Sequence, residues 1–484
     1  MTKYPAVTSN YARYVLFVLL GVYVSNQWAR NLLNYLYAVS DDSYDDDDKK
    51  NFISIKDATG ISTSQYGLLV GYGFSLFYVI FGLFMGRAAD VYNRKLLVFY
   101  GLAIWNAATI GLGMSDNFWK LLCSRVALGV GESFSIPASY SLIADYFPAE
   151  SLAQANGVFA FGVYLGGGLS SLSIALAQAV GWRGSAYIVA GYGLVLSVLV
   201  RFTVREPART PCLTAAAAGA TAGDGPALAH REGGEEDYDV GDGGPRAPLI
   251  MEERGDMDYT VRESMKLIFG QPLILLLLFG GMVRFMAGLT IGSYLPSYYS
   301  QIYPDYNTIY SYLNGSVVAA GGALSSYLGG YAADRWEQSG QRKARMYIPA
   351  IGSLVGAPAF LLVIIVPSFY ASMFVLFVEY LVAECWFGPA ISVLQKALPP
   401  RVRGVGIGCY SFFATVAGSF MTYLVGTILD KYTSDSALMI TLLASVCGMY
   451  LASGVVFLFA ASFMPHLDTA AFKGTERQPF SSGR

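Results

Sequence analysis

The chain has 484 residues, of which 54% are hydrophobic and only 14% are charged, so it is more apolar and less charged than soluble domains are. Its net charge of −2 and scattered basic residues exclude a nucleic-acid-binding footprint, and its five cysteines stand singly, so no disulfide is predicted. Runs of about 20 apolar residues cross a bilayer as helices, so the composition predicts an all-α membrane protein.

Apolar segments in the first part of the chain predict six membrane-spanning helices, here called spans one to six. They cover approximately residues 14–37, 63–86, 95–114, 118–146, 152–180 and 184–203. The first of them is too long for a cleavable secretory signal and lacks a cleavage site, so it is expected to act as its own insertion signal.

A second series predicts spans seven to twelve at approximately 272–299, 308–333, 346–367, 370–396, 404–429 and 437–463. Between the series, residues 208–258 turn to Ala, Gly, Pro and acids, which cannot bury enough apolar surface to offset the entropy of ordering. The predicted domains are therefore an N-terminal six-helix bundle at 1–207, a disordered cytosolic linker at 208–258, and a C-terminal six-helix bundle at 259–484 with a short cytosolic tail.

Basic residues orient the predicted spans. They gather in the loops after spans two, eight and ten, for example Arg94, Arg335 and Arg403, whereas the opposite loops hold few, such as Lys56 and Lys431. Because cytosolic loops carry an excess of Lys and Arg, both termini are predicted to lie in the cytosol. The acidic run Asp45–Lys49 is then a solvated outer loop or a sequence resembling a protease-tag site.

A short motif follows the second span of each half. Gly86 and Asp90 enclose Arg-Ala-Ala after span two, and Gly330 and Asp334 enclose Tyr-Ala-Ala after span eight. The glycines are expected to permit close helix approach, and the aspartates to interact with a helix N-terminus or a nearby cation. The predicted cytosolic gate comprises Gly86, Asp90, Arg94, Lys95, Gly330, Asp334 and Arg335.

With this repeated motif the sequence resembles the Major Facilitator Superfamily, whose signature after the second helix has the same spacing of glycine, acid and base. The segments 90–97, 125–133, 142–147 and 204–207 resemble the spinster-like branch, and 287–288 and 294–296 are the best matches in the second half. The resemblance implies twelve transmembrane helices in two pseudo-symmetric six-helix bundles, alternating access by a rocker-switch motion, and an amphipathic lipid substrate such as a lysophospholipid or sphingoid lipid.

Charged residues inside the first-half spans are candidates for the substrate and coupling cavity, because an ionisable group at this depth faces protein or water. Arg125 and Glu132 share a helical face but lie about 10 Å apart along the axis, so they are not expected to pair directly. In span one Arg30 follows Ala29, where the spinster-like family carries an acid. Either Glu132 binds a proton alone, another acid substitutes, or transport is not proton-driven. Arg30 itself contacts substrate or extends to the outer interface.

The second half supplies further cavity candidates. Arg284 in span seven suits an anion, or a buried ion pair, and Tyr294 and Tyr298 supply aromatic surface at i and i+4, or an interfacial belt. Glu379 and Glu384 in span ten are about 140° apart around an ideal helix, so only one is expected to face the cavity. Glu384 is preferred as the acid that replaces the one missing at position 29. Glycines 162, 166, 167 and 168 in span five are expected to allow close helix packing.

These residues predict a secondary active or facilitative transporter of a lipid, with protons as a candidate coupling ion. The alternatives are a carrier of a water-soluble organic anion or metabolite, and a non-transporting membrane receptor or scaffold. No catalytic motif, metal-ligand cluster or cofactor-binding pattern is present, so an enzyme is not predicted. The expected partners are the substrate and the lipid bilayer, with no nucleic acid, and the chain is expected to be a monomer in the plasma or an endolysosomal membrane.

Overall fold

The computed structural model describes residues 9–39, 54–207, 261–399, 402–432, 434 and 436–464. Within these ranges the chain forms helices and connecting loops and contains no β-strand, so the predicted all-α fold class is confirmed. The predicted linker at 208–258 and the Asp45–Lys49 run lie outside the described residues, and the domain boundaries stay a prediction.

The first half forms the six predicted spans. Span one is Ser9–Ala38, and a short helix, Ile55–Thr59, precedes span two. The others are Thr63–Val70 with Tyr72–Val91, Arg94–Gly113, Phe118–Ser133 with Ser135–Tyr146, Ala149–Ala160 with Gly162–Ser171, and Ser173–Thr203. The range Ser173–Thr203 comprises two helices that are separated at Gly181, whose φ of 73° lies in the left-handed region that favours glycine. The residues before Gly181 end span five, and those after it form span six.

The second half repeats this arrangement after a short amphipathic helix, Val261–Phe269. Spans seven, nine and eleven are continuous helices at Pro272–Ile302, Ala344–Ile365 and Arg403–Lys431. Spans eight, ten and twelve each contain an irregular turn. They comprise Asn307–Ser316, Val317–Gly322 and Ala323–Gln338; Phe369–Ala383, Glu384–Trp386 and Phe387–Ala397; and Ala437–Leu442, Leu443–Cys447 and Gly448–Ala461.

Local sequence explains where several spans begin. The Asn93 side chain accepts a hydrogen bond from the Leu96 N–H at the start of span three, and Asn117 accepts one from Lys120 at the start of span four. Such caps satisfy backbone donors that have no partner in the first helical turn. Pro272 begins span seven, where its missing N–H is of no consequence.

Hydropathy alone identifies only part of this membrane domain. Within the described residues, 8 helical stretches are long and apolar enough to cross a membrane. Spans one, four, five and eight are not among them, because they hold polar residues such as Arg30, Glu132, Asn156 and Asn314. Two of these four, spans one and four, carry candidate-site residues.

The two halves meet along three pairs of helices: spans one and seven, two and eleven, and five and eight. Buried side chains of both halves belong to one hydrophobic cluster, which extends from Val15 and Leu19 in span one to Tyr294 and Val425 in the second half. The loops after spans two, four, eight and ten lie at one end of the assembly, here called the basic end. The other end is called the opposite end.

Candidate functional site

A buried ion pair joins spans one and four. Arg30 donates from Nε and Nη2 to Glu132 Oε2, at 2.9 and 2.8 Å. Its guanidinium lies 4.8 Å from the Phe74 ring centroid and 4.6 Å from that of Tyr78. Arg30 therefore points toward a carboxylate inside the bundle, and the expectation that it extends to the outer interface is wrong. The bidentate contact and two aromatic faces offset the loss of water around the cation.

Arg125 lies beside this pair but not in direct contact with Glu132. It donates from Nε to the Leu69 carbonyl at 3.2 Å and from Nη1 to the Arg30 carbonyl at 3.1 Å. Its guanidinium shares the Phe74 ring with Arg30, at 5.2 Å from the centroid. The prediction that Arg125 and Glu132 do not pair directly is confirmed. Two guanidinium groups thus surround one carboxylate in the first half.

A second buried ion pair joins spans seven and ten. Arg284 donates from Nη2 to Glu384 Oε1 at 2.9 Å and to the Ala383 carbonyl at 3.0 Å. Its guanidinium lies 4.4 Å from the Tyr450 ring centroid and 5.5 Å from that of Trp386. Spans seven and ten are the counterparts of spans one and four, so the arginine–glutamate pair follows the internal repeat.

Glu379 belongs to the same group of side chains. The Tyr450 hydroxyl donates to Glu379 Oε1, and the Tyr450 ring packs on Arg284. Of the two glutamates, Glu379 is 1% exposed and Glu384 is 29% exposed, so Glu384 is the accessible one. That only one of them faces the cavity stays a prediction.

The two ion pairs differ in which member is accessible. The Arg30 side chain is 24% exposed and Glu132 is fully buried, whereas Glu384 is 29% exposed and Arg284 is fully buried. The first half therefore presents a cation with an acid behind it, and the second half presents an acid with a cation behind it. Tyr164 of span five packs against Gly322 of span eight and lies near Glu384, so Glu384 is close to the seam between the halves.

Tyr294 and Tyr298 are buried rather than displayed on an open surface. The Tyr294 hydroxyl donates to the Thr422 carbonyl at 2.7 Å, and the Tyr298 hydroxyl to the Ile364 carbonyl at 2.8 Å. Both hydroxyls therefore bind span seven to neighbouring helices. Residues of an interfacial belt would instead lie at the membrane surface. Tyr294 also lines a cavity of about 780 Å³ at the opposite end, between Tyr37 and Thr63 of the first half and Tyr432 of the second.

The predicted gate at the basic end differs in its contacts from the expectation. A Cβ added at Gly86 or Gly330 would meet no heavy atom within 4 Å, so these glycines do not mark a close helix approach in this structure. Arg94 pairs with Asp145 and Glu206 of its own half. It does so because span three begins beside the ends of spans four and six at the basic end, which supply these acids within reach of its guanidinium.

The second-half gate residues also interact within their half. Asp334 accepts from Arg345 Nη2 at 2.7 Å, and Glu337 accepts from Arg345 and Lys396. Arg335 is exposed. In the first half, the Lys95 N–H donates to Glu206 Oε2 at 3.0 Å. Asp90 lies in the last turn of span two, and its side chain is outside the described set. The ion pairs described at the basic end therefore do not join the halves.

The halves are instead joined toward the opposite end. Asp430 of span eleven accepts from the N–H groups of Thr63 and Ser64 at the start of span two, each at 2.8 Å. In spans five and eight, a Cβ added to Gly168 would lie 2.5 Å from the Gly315 carbonyl oxygen. The predicted role of the span-five glycines in close packing is confirmed, and Asn314 adds a hydrogen bond to Ser171 at 3.1 Å.

Sequence reasoning missed Asp430 and Tyr450. Asp430 stands at the end of an apolar span, where an acid is usually read as a loop residue, and its partners are backbone groups that no side-chain motif reveals. Tyr450 lies in an apolar helix with no neighbouring charge in sequence. A phenol at that depth needs a hydrogen-bond partner, which was the available signal.

Comparisons with known proteins agree with this architecture. The profile of the Major Facilitator Superfamily matches residues 11–422. An MFS-type efflux pump of Mycolicibacterium smegmatis is 23% identical over 422 residues, which is 84% of this chain and 86% of that protein. Protein spinster homolog 1 of Homo sapiens is 33% identical over 153 residues, 31% of this chain and 29% of the human protein. The hexuronate transporter of Bacillus subtilis is 30% identical over 158 residues, 32% of this chain and 37% of that protein.

Solved structures show the same fold. A bacterial homolog of the human lysosomal transporter Spinster, in an inward-facing and unoccupied conformation, superimposes with a TM-score of 0.68 at 19% identity, covering 98% of this chain and all of that one. The family and the fold are those of transporters. Because the superfamily profile covers most of the sequence, the chain belongs to the Major Facilitator Superfamily, and the predicted likeness to its spinster-like branch is confirmed.

Proposed function

We propose that this transporter carries an amphipathic lipid with a charged headgroup, such as a lysophospholipid or sphingoid lipid, by a rocker-switch motion of its halves. The observation that carries the proposal is the pair of accessible charges of opposite sign, Arg30 on the first half and Glu384 on the second. A zwitterionic headgroup offers an anion to the first and a cation to the second. Each charge is held by a buried partner, so the site is organised before the substrate enters.

The lipid tail would lie along the aromatic surface next to Arg30. Phe74 and Tyr78 stack on each other with ring centroids 5.5 Å apart, and both rings contact the Arg30 guanidinium. A cation adjoining an apolar wall suits an amphiphile, because headgroup and tail are recognised by adjacent surfaces.

Uptake of a labelled lysophospholipid into vesicles containing the purified protein tests the proposal. We expect Arg30→Ala to reduce uptake at least tenfold, since the headgroup loses its accessible cation and Glu132 is left buried and unpaired. Arg30→Lys should retain part of the activity. Lys120→Ala serves as the control, because Lys120 forms an exposed pair with Asp116 at the start of span four. Absence of lysophospholipid transport under every imposed gradient would reject the lipid.

A water-soluble organic anion is the second candidate. The local similarity to a hexuronate transporter favours it, and so do the two arginines around a single glutamate in the first half. Thermal-shift competition separates the candidates, because only a bound ligand raises the unfolding temperature by mass action. Stabilisation by glucuronate that lysophospholipid does not displace would favour the anion, and the reverse result would favour the lipid.

We also infer the orientation and the assembly from the sequence and the packing. The excess of basic residues at the basic end supports placing that end and both termini in the cytosol. The two halves enclose the candidate site within one chain, which supports a monomer. Labelling of single introduced cysteines near Arg13 and Lys120 in intact cells, with an impermeant reagent, tests the orientation: only the second position should react.

A further inference from the structure

The membrane-buried charges of the two halves do not balance in the same way. In the first half, Arg30 and Arg125 surround Glu132, so two cations face one acid. In the second half Arg284 is the cation beside two acids, Glu379 and Glu384. With all groups ionised, the first cluster carries one excess positive charge and the second one excess negative charge.

The excess acid of the second half is in a poor position to remain ionised. Glu379 is 1% exposed, and its described hydrogen bond comes from a neutral phenol, that of Tyr450. The nearest cation is Arg284, whose Nη2 already donates to Glu384. A buried carboxylate without a cationic partner is strongly destabilised, and binding of one proton removes that charge. The titratable and charged groups near Glu379 are Tyr450 and Cys447 of span twelve, Arg284 and Tyr299 of span seven, and Glu384 and Tyr380 of its own span.

Arg284 has the donors that a second acid would need. Its Nε and Nη1 are buried and without a hydrogen-bond partner among the described residues, and the whole side chain is inaccessible. The Glu384 carboxylate thus accepts only from Nη2, and the Nε and Nη1 donors of Arg284 remain without a partner in a buried environment. If Glu384 leaves Arg284, an ionised Glu379 can replace it without exposing the cation.

We propose that Glu379 is the proton-binding site of this transporter and that Arg284 exchanges its partner between Glu384 and Glu379 during transport. This inference rests on the proposed function, because it assumes a substrate that draws Glu384 away. The accessible Glu384 then contacts the cation of the headgroup, the Glu379 carboxyl gives its proton to water, and the resulting carboxylate accepts hydrogen bonds from Arg284. The acid missing at Ala29 in the first half is thereby replaced in the second.

The position of Glu132 explains why the proton is assigned elsewhere. Glu132 Oε2 accepts two hydrogen bonds from Arg30, and a second cation, Arg125, lies nearby, whereas Glu132 Oε1 is buried without a hydrogen-bond partner among the described residues. Two cations therefore stabilise the ionised form of Glu132. Glu379 has one neutral donor and competes with another acid for its only nearby cation among the described residues. The two glutamates are therefore equally buried, but Glu132 has an excess of positive charge around it and Glu379 does not.

Infrared spectroscopy of the purified full-length protein tests the assignment, because a protonated carboxylic acid has a C=O stretching band that a carboxylate lacks. Near neutral pH we expect such a band in the unmodified protein and its loss in Glu379→Gln. It should also disappear in Glu384→Gln, because Arg284 then turns to Glu379 and favours its ionised form. Glu132→Gln is the matched control and should retain the band.

Three outcomes would overturn the inference: no acid band in the unmodified protein, a band that survives Glu379→Gln, or a band removed only by Glu132→Gln. The last result would place the proton on Glu132. If Glu379→Gln does not fold, Tyr450→Phe gives a second test. It removes the hydrogen bond to Glu379 and should shift the band while preserving the carboxyl group, and an unshifted band counts against the site.

Transport then separates this inference from the proposed function. The surface control Lys120→Ala should accumulate labelled lysophospholipid under a proton gradient as the unmodified protein does. Glu379→Gln should lose this gradient-driven accumulation. Gradient-driven accumulation in that variant overturns the proton site and leaves the lipid carrier intact. The expected infrared changes in a protein that moves no lysophospholipid support the proton site and reject the lipid.

Discussion

At the residue scale, an arginine–glutamate ion pair recurs on corresponding spans of the two halves, but a different member of the pair is accessible in each half. In the first half the arginine is accessible, and in the second the glutamate is. An internal repeat therefore preserves the pair while the halves diverge in the charge that they present. Because removal of one member leaves the other buried and unpaired, substitutions here combine a functional effect with a loss of stability.

Arg94 provides a residue-scale prediction. It is 2% exposed and bridges Asp145 and Glu206, so Arg94→Ala leaves two mostly buried acids without their cation. We expect a loss of about 3 kcal/mol in the free energy of unfolding, the usual cost of breaking a buried pair. Denaturant-induced unfolding in detergent measures it. Lys120→Ala, which breaks an exposed pair, should cost less than about 1 kcal/mol; equal losses in the two variants would contradict the role of Arg94.

At the scale of helices, spans five and eight approach each other through glycine. A Cβ on Gly168 would lie 2.5 Å from the Gly315 carbonyl oxygen, a distance that real Cβ atoms essentially never show. Gly168→Val should therefore separate these helices toward the opposite end. Overpacking costs about 1–3 kcal/mol, so we expect the fraction of molecules in which the opposite end is closed to fall roughly tenfold.

Distances between spin labels at the ends of spans five and eight measure this change. Gly191→Val in span six is the control, since a Cβ there meets nothing within 4 Å. An unchanged distance distribution in Gly168→Val would show that the glycine contact does not determine closure.

The contact between spans two and eleven gives an electrostatic prediction. The Asp430 carboxylate accepts both N–H groups at the first turn of span two, where the helix dipole favours a negative charge. Asp430→Asn removes the charge and one acceptor, so closure should weaken by about 1 kcal/mol, a roughly fivefold shift of the equilibrium.

The same label-distance measurement, between spans two and eleven, detects the Asp430→Asn shift. Asp116→Asn is its control, because Asp116 pairs with Lys120 in an exposed loop and contacts no residue of the other half in the described interactions. A larger shift in the control than in Asp430→Asn would remove Asp430 from the closure mechanism.

At the scale of the whole molecule, the two ends differ in how the halves meet. Hydrogen bonds and close packing join the halves toward the opposite end, whereas the described ion pairs of the basic end lie within a half. Under the proposed rocker-switch motion, this is the arrangement expected when the halves are closed at the opposite end. In the other state, the proposal expects the gate residues of the basic end to approach each other across the seam.

The chain between the halves supplies a whole-molecule prediction. Deletion of residues 210–255, outside the described ranges, should leave lysophospholipid uptake within about twofold of the unmodified protein if the helices hold the halves together. A receptor or scaffold that binds a partner through this segment would instead lose that partner. Uptake and partner capture from the same membranes distinguish the two, and loss of uptake in a correctly folded deletion variant would contradict the independence of the halves.

Much of the site could be predicted because the bilayer restricts where charges occur. Arg30, Arg125, Glu132, Arg284, Glu379 and Glu384 stand out in apolar spans, and the structure gathers them into two clusters. Their pairing could not be predicted, since Arg30–Glu132 and Arg284–Glu384 each join residues about a hundred positions apart in sequence. The ion-pair partners of Arg94 and Asp334 could not be predicted either, because they depend on which helix ends lie beside them in the folded protein.

The sequence by itself determined the membrane class, the number of spans, the repeat and the family, because apolar length and the spacing of charges are local properties that the bilayer enforces. Tertiary structure alone decided which end is closed, which member of each ion pair is accessible, and that Glu379 reaches Tyr450. These features depend on distances between helices that are remote in sequence, which local patterns along the chain do not reveal.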